Sequence, residues 1–192
     1  PIAFHGAAYA GGVVTTVNPQ YTPKELASQL KDSQARFLVT TSMFLKNAQQ
    51  AAAEAGNIQE IFTFDNAPGA TPFPALLEAP ELEIGPAINS ATDLVALPYS
   101  SGTTGGSKGV MLTHRNLVAN MAQLEGLESE CRPITEEDKL IAVLPFFHIY
   151  GLLVIMNYAL SCGAAIVVLE RFDLEEFLGV IQDQRVTFAH LV

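Results

Sequence analysis

Short apolar runs alternate along this chain with longer stretches in which apolar positions recur at helical spacing. The short runs at Val13–Val17, Arg36–Thr40, Glu60–Phe64, Leu94–Pro98, Lys139–Leu144, Ala164–Leu169 and Val186–His190 predict strands. The longer stretches predict helices, and several carry their own start and stop signals. Thr22-Pro-Lys-Glu25 reads as a capping box with proline at the first helical position, opening a helix to about Asp32. Residues 2–10 read as the tail of a helix ended by Gly11-Gly12, and Met43–Ala55 as an alanine-rich helix. After the glycine-rich run Val110-Met-Leu112 reads as a short strand, and a further helix is expected from Thr113 or His114 to Leu127, with Thr113 as its N-cap and His114 and Arg115 on its surface. Gly151–Leu160 is expected to be helical, and Asp173-Leu-Glu-Glu176 caps a helix that reaches Gln184. Asn18-Pro19 marks a turn. From Asp65 to Ser90 the chain is rich in Pro, Gly and Ala, with apolar pieces such as Pro74–Leu77, and reads as a surface excursion. Strand and helix in alternation predict an α/β fold with a mainly parallel sheet. Two portions are expected, residues 1–90 and residues 91–192.

Composition narrows the class. Of 192 residues 49% are hydrophobic and only 16% charged, which is globular material. No apolar run approaches the ~20 residues that span a bilayer, and no basic segment opens the chain as a secretory signal does. A net charge of −10 argues against nucleic acid as a partner, because neutralising phosphates takes clustered Lys and Arg. It leaves nucleotide binding open, since a few local N–H groups and one lysine suffice for that. Cys131 and Cys162 form no C-x-x-C and have no ligand-spaced histidines beside them, so a reduced, cytoplasmic protein without a metal site is expected. His5 reads as a packing residue, and the acidic stretch Glu128–Asp138 as a solvated loop.

Tyr99-Ser-Ser-Gly-Thr-Thr-Gly-Gly-Ser-Lys-Gly109 has the composition of a polyphosphate-gripping loop. Its glycines allow successive N–H groups to turn toward an anion, its hydroxyls donate hydrogen bonds, and Lys108 adds a mobile positive charge. Lying between a strand and a helix start, such a loop is also expected to gain from the helix dipole. It is not the pattern G-x-x-x-x-G-K-S/T, because Ser107 precedes the lysine and Gly109 follows it. The hydroxyl that holds Mg²⁺ directly after that lysine is thus missing. A flexible Ser/Gly linker has similar composition, but linkers seldom join a buried-type strand to a capped helix.

Leu144-Pro-Phe-Phe-His-Ile-Tyr-Gly151 is the second segment with chemical content. It follows a strand, where pockets form in α/β proteins. Phe146, Phe147 and Tyr150 have the shape to wall a flat or elongated apolar group, and His148 to meet an anion. A core cluster with one half-buried histidine accounts for the same residues.

The loop closely resembles the signature S-G-T-T-G-x-P-K-G of the acyl-adenylate-forming superfamily, with Ser107 in place of proline. The Gly-Gly-Val-Val-Thr-Thr-Val-Asn-Pro segment, the Arg-Phe-Leu-Val strand and Thr113-His-Arg-Asn-Leu are similar to the same family, and its coumarate-CoA and fatty-acyl-CoA ligase branch above all. The resemblance implies that the chain is an internal piece of a large N-terminal domain, cut at both ends and lacking the C-terminal domain. It implies activation of a fatty or aryl carboxylic acid by MgATP to an acyl-AMP, followed by transfer to coenzyme A. Ser100, Ser101, Gly102, Thr103, Thr104, Gly105 and Lys108 would grip the β- and γ-phosphates, with Gly106 and Gly109 leaving the backbone free to bend. His148 would lie at the carboxylate end of the acid pocket, and Phe147 and Tyr150 would shape its mouth. His190 is a weaker candidate for the same pocket. Amino-acid-activating relatives place an aspartate in this segment, and there is none between Leu144 and Cys162. The proline-to-serine change is expected to loosen the loop, since proline pre-sets φ. Two alternatives remain: a kinase or NTPase, which needs a strand-end aspartate that no run here supplies, and a non-catalytic nucleotide-binding module. The piece alone is expected to be inactive and to self-associate through its cut edges.

Overall fold

A computed structural model describes residues 1–80, 85–101, 107–128 and 132–191, without the side chains of Ser101 and Glu128. These residues fall into two compact units, one of residues 1–89 and 94–111 and one of residues 90–93 and 112–192. Segment 94–111 clusters with the first unit.

The first unit opens with α1 (Ile2–Tyr9) and α2 (Pro23–Asp32). The capping box of α2 is formed as the sequence predicts. Thr22 N donates to Glu25 Oε2 at 2.8 Å, and Thr22 Oγ1 accepts from Glu25 N at 3.3 Å. Bonds from the Thr22 backbone and hydroxyl hold the Glu25 carboxyl below its ordinary range. One face of α2, with Leu26, Ala27 and Leu30, packs on Ala51 of α3 (Ser42–Ala55), and Val17, Leu38, Ala55 and Ile58 surround the contact. Each buried leucine there contributes roughly 1.5–3 kcal/mol. Helix α3 crosses between β1 (Phe37–Thr40) and β2 (Glu60–Thr63), which pair in parallel from Phe37↔Glu60 to Thr40↔Thr63. This is the βαβ unit that the alternation predicts. Its helix start is closed by Asp65, whose Oδ1 accepts from Ser42 N at 2.7 Å.

The Pro/Gly/Ala-rich excursion is more ordered than its composition indicates. Strand β3 (Thr71–Pro72) extends the sheet in the order β1-β2-β3, and α4 (Pro74–Leu77) follows as one turn. Pro72 can occupy this edge because an edge strand needs no donor on its outer side. Val13–Val17, by contrast, supplies one parallel bridge, Val14 opposite Ala96 of β4 (Leu94–Ala96). Its next polar groups go to side-chain bonds, with Thr15 Oγ1 donating to Leu97 O at 2.8 Å and Thr16 O accepting from Gln29 Nε2 at 3.0 Å. The unit ends in β5 (Tyr99–Ser101) and β6 (Ser107–Gly109).

The second unit holds β7 (Leu112–Thr113), α5 (His114–Glu128), β8 (Lys139–Ala142), β9 (Ala165–Val168), α7 (Leu174–Gln184) and β10 (Phe188–Ala189). Between β8 and β9 a π-helical segment, Gly151–Tyr158, runs into a short α6 (Ala159–Ser161). Its sheet has the order β10-β8-β9, parallel throughout. Thr113 caps α5 as predicted, its Oγ1 accepting from Asn116 N at 3.2 Å. Every residue of the π-helical segment is buried, as a helix apolar on all sides requires. Inside it Asn157 Nδ2 donates to the Leu152 carbonyl at 2.6 Å, satisfying a buried amide and a buried acceptor together. Asp173 caps α7 through bonds from Glu175 N and Glu176 N at 3.1 and 3.0 Å.

The acidic stretch is not a solvated loop at its end. Asp138 is only 2% exposed and accepts from Arg132 Nη2 and Thr187 Oγ1, both at 2.8 Å. Thr135 N and Oγ1 bond its other oxygen at 2.9 and 3.1 Å. Charge density along the sequence gives no sign that four donors converge on this one carboxylate.

Candidate functional site

The two ends of the predicted phosphate loop pair as antiparallel strands. Strands β5 and β6 pair with Tyr99 opposite Gly109, Ser100 opposite Lys108 and Ser101 opposite Ser107. Gly102, Thr103, Thr104, Gly105 and Gly106 lie outside the described residues. A hairpin corrects the expected strand–loop–helix context. The chain leaves the loop through β6 and β7 before α5 begins at His114, so no helix start directly follows it. Residues directly opposite in such a pair are side-chain neighbours, which brings Ser100 and Lys108 together at an exposed position.

The base of the hairpin is tightly built. Val110 N donates to Pro98 O at 2.8 Å. A side chain at Gly109 would put Cβ 3.1 Å from Tyr99 Cζ and 3.2 Å from Leu97 Cδ1, so the tyrosine ring occupies the space glycine leaves. Tyr99 Oη in turn donates to Asp32 Oδ2 at 2.5 Å. Burial, then this bond and the carboxylate's charge, push the phenol far above its ordinary value, so it remains a donor. Neither Asp32 nor its role can be read from the loop motif, because the two partners stand 67 residues apart.

In the second unit, Leu144–Gly151 turns the chain from β8 into the π-helical segment. His148 N donates to Pro145 O at 3.1 Å, and the His148 carbonyl accepts from Leu152 N at 2.9 Å. A Cβ on Gly151 would stand 2.3 Å from the Pro145 carbonyl oxygen, a separation no side chain tolerates. Tyr150 N donates to His148 Nδ1 at 3.2 Å. In the neutral ring the proton therefore sits on Nε2, ready to be donated. His148 is exposed and Phe147 half-buried, while Tyr150 is exposed and reaches His190 Nδ1 with its Oη at 3.0 Å. The Tyr150 and His190 rings meet edge to face with centroids 5.8 Å apart. His148, Tyr150 and His190 thus share one neighbourhood, and His190 enters through the end of β10. Among the described residues no group of three or more His, Cys, Asp or Glu side chains gathers as a metal-holding set, and no helix is long and apolar enough to cross a membrane.

A mixed α/β fold with parallel sheets carries a Ser/Lys-bearing antiparallel strand pair in one unit and a strand-end Phe-His-Ile-Tyr-Gly turn in the other. The chain belongs to the AMP-binding enzyme family, whose profile matches residues 1–192. It is 41% identical over 191 residues to 4-coumarate–CoA ligase 1 of Petroselinum crispum, which covers 99% of this chain and 35% of that protein. Among solved structures it is similar to ATP-bound MatB from Rhodopseudomonas palustris, with a TM-score of 0.76 at 30% identity, over 98% of this chain and 36% of that one. A benzoate CoA ligase from Burkholderia xenovorans LB400 superposes with a TM-score of 0.81 at 28% identity, over 98% and 36% of the two chains. The chain thus spans about a third of the length of the relatives it matches.

Proposed function

We propose that these residues form the triphosphate grip and part of the acid-side wall of an acid–thiol ligase. The observation that carries this reading is the hairpin register. It brings Lys108 opposite Ser100 in a chain similar over its whole length to 4-coumarate–CoA ligases. In the first step a carboxylate oxygen of the acid attacks the α-phosphorus of ATP, and the α–β bridging oxygen leaves with pyrophosphate. In the second step a thiol, that of coenzyme A, attacks the acyl carbonyl and loses its proton, and AMP departs. Mg²⁺ enters with ATP as part of that substrate.

The protein's contribution to such phosphoryl chemistry is positioning and charge neutralisation. Lys108, the hydroxyls of Ser100, Ser101, Thr103 and Thr104, and the N–H groups of Gly102 and Gly105 hold the β- and γ-phosphates and retain the leaving pyrophosphate. His148, protonated at Nε2, donates to the acid's oxygen, and Phe147 and Tyr150 flank an aryl or alkyl chain. Without an aspartate between Leu144 and Cys162 to pair with an α-amino group, the favoured acids are fatty and aryl acids. The reaction is assigned to a reducing, cytoplasmic setting.

The test is acid-dependent exchange of radiolabelled pyrophosphate into ATP by a full-length enzyme carrying these residues, across fatty, aryl and amino acids. Exchange with fatty or aryl acids and none with amino acids is expected. ATP hydrolysis or phosphoryl transfer without exchange for any acid would replace this reading with the kinase or NTPase alternative.

A further inference from the structure

Helix α2 holds the root of the phosphate hairpin at two places. Gln29 and Asp32 are three residues apart and therefore project from one side of the helix. Gln29 is 4% exposed, and its Nε2 donates to Thr15 Oγ1 at 2.8 Å. Thr15 Oγ1 passes the bond on to Leu97 O, also at 2.8 Å. Two residues later Tyr99 Oη donates to Asp32 Oδ2. The lead-in to the hairpin is thus held by its backbone at Leu97 and by its side chain at Tyr99. Tyr99 pairs with Gly109 across the hairpin and fills the space beside it, so the anchored strand fixes the returning one. The cap and the Leu26–Ala27–Leu30 face hold α2 itself in place.

From this geometry we propose that Asp32 is a positioning residue for the nucleotide triphosphate, acting through Tyr99 and Gly109 to hold Ser100 and Lys108 in register. The proposal rests on the triphosphate reading of this hairpin given above. One observation separates it from a stabilising role for Asp32. The residue is exposed and ends α2, where a negative charge opposes the helix dipole, so helix stability alone disfavours it.

The experiment compares the full-length enzyme with its Asp32→Ala, Asp32→Asn, Tyr99→Phe and Asp32→Ala/Tyr99→Phe variants. It reads the calorimetric Kd for MgATP, the KM for ATP and for the acid in pyrophosphate exchange, and Tm. Asp32→Ala and Tyr99→Phe are each expected to weaken MgATP about tenfold, the worth of one charge-assisted hydrogen bond. The acid KM and Tm stay at wild-type values. The double variant is no worse than either single one, because both remove the same link. Asp32→Asn, which keeps an acceptor oxygen, retains most of the affinity.

Unchanged MgATP affinity in either single variant overturns the proposal. So do losses that add in the double variant, or a joint fall in Tm and in affinity for both substrates, which marks general loosening. Wild-type enzyme that binds MgATP but exchanges no pyrophosphate overturns the ligase reading while the affinities still test the clamp. Wild-type enzyme that binds no MgATP overturns both.

Discussion

Asp138 shows how much one side chain can tie together. Burial pushes its carboxyl up, but bonds from the Thr135 backbone, Thr187, Arg132 and the Thr135 hydroxyl outweigh this and hold its pKa at about 2. These bonds join the 132–135 loop to β8 and, through Thr187, to the approach to β10, where Thr187 N also donates to Lys139 O at 2.9 Å. A carboxyl whose pKa is lower in the folded state adds stability that is fully present above the unfolded value near 4 and is lost as pH falls toward 2. Asp138→Asn is therefore expected to destabilise the protein by about 1.5–3 kcal/mol at neutral pH. Denaturant titrations at several pH values should show the gap from wild type closing below about pH 4. Lys108 offers a test of function rather than folding. Lys108→Ala should weaken MgATP about ten- to a hundredfold in a full-length enzyme, measured by calorimetry, with Tm unchanged because the side chain is exposed.

The turn into the π-helical segment depends on one backbone contact. Gly151 fits under the Pro145 carbonyl only because it has no Cβ, and that same carbonyl accepts from His148 N. The approach that demands glycine is thus part of the turn that orients His148. Gly151→Ala is expected to cost about 1–3 kcal/mol by forcing this contact apart. It should also raise the acid KM more than the ATP KM, which steady-state exchange kinetics would reveal. Equal effects on both substrates would argue against an acid-side role for the turn. π-Helical turns recur at functional sites because they displace side chains from the regular helical pattern. Here Asn157 meets the local hydrogen-bonding demand from within the segment.

Each of the two units has its own parallel three-stranded sheet and its own buried clusters. Exposed apolar side chains remain on both, including Phe37 and Phe64 in the first and Val168, Phe172, Leu174 and Leu178 in the second. Surfaces of this kind favour association. The 192 residues by themselves are expected to sediment with a concentration-dependent average mass and to bind MgATP weakly. They are also expected to form no detectable acyl-AMP in a mass-spectrometric assay. Acyl-AMP formed by this chain alone would show that the remaining two-thirds of the relatives' length is dispensable for the first step.

Features set by near neighbours could be read directly from the chain. The Thr22–Glu25 box and the Asp173 and Thr113 caps depend on torsions and hydrogen bonds spanning a few residues. Those torsions and bonds form in much the same way wherever the segment lies. Features that depend on distant segments meeting could not be read. Val14 keeps a single bridge because Thr15 and Gln29 take the neighbouring polar groups. Ser107–Gly109 pairs antiparallel with Tyr99–Ser101, which composition alone does not distinguish from a strand leading into a helix. Asp138 draws Thr135 and Arg132 from its own loop, but its burial depends on Thr187, 49 residues away. The Asp32–Tyr99 and Tyr150–His190 contacts span 67 and 40 residues. Hydrogen bonds of that range carry no local pattern, and they exist only once packing has brought their elements together.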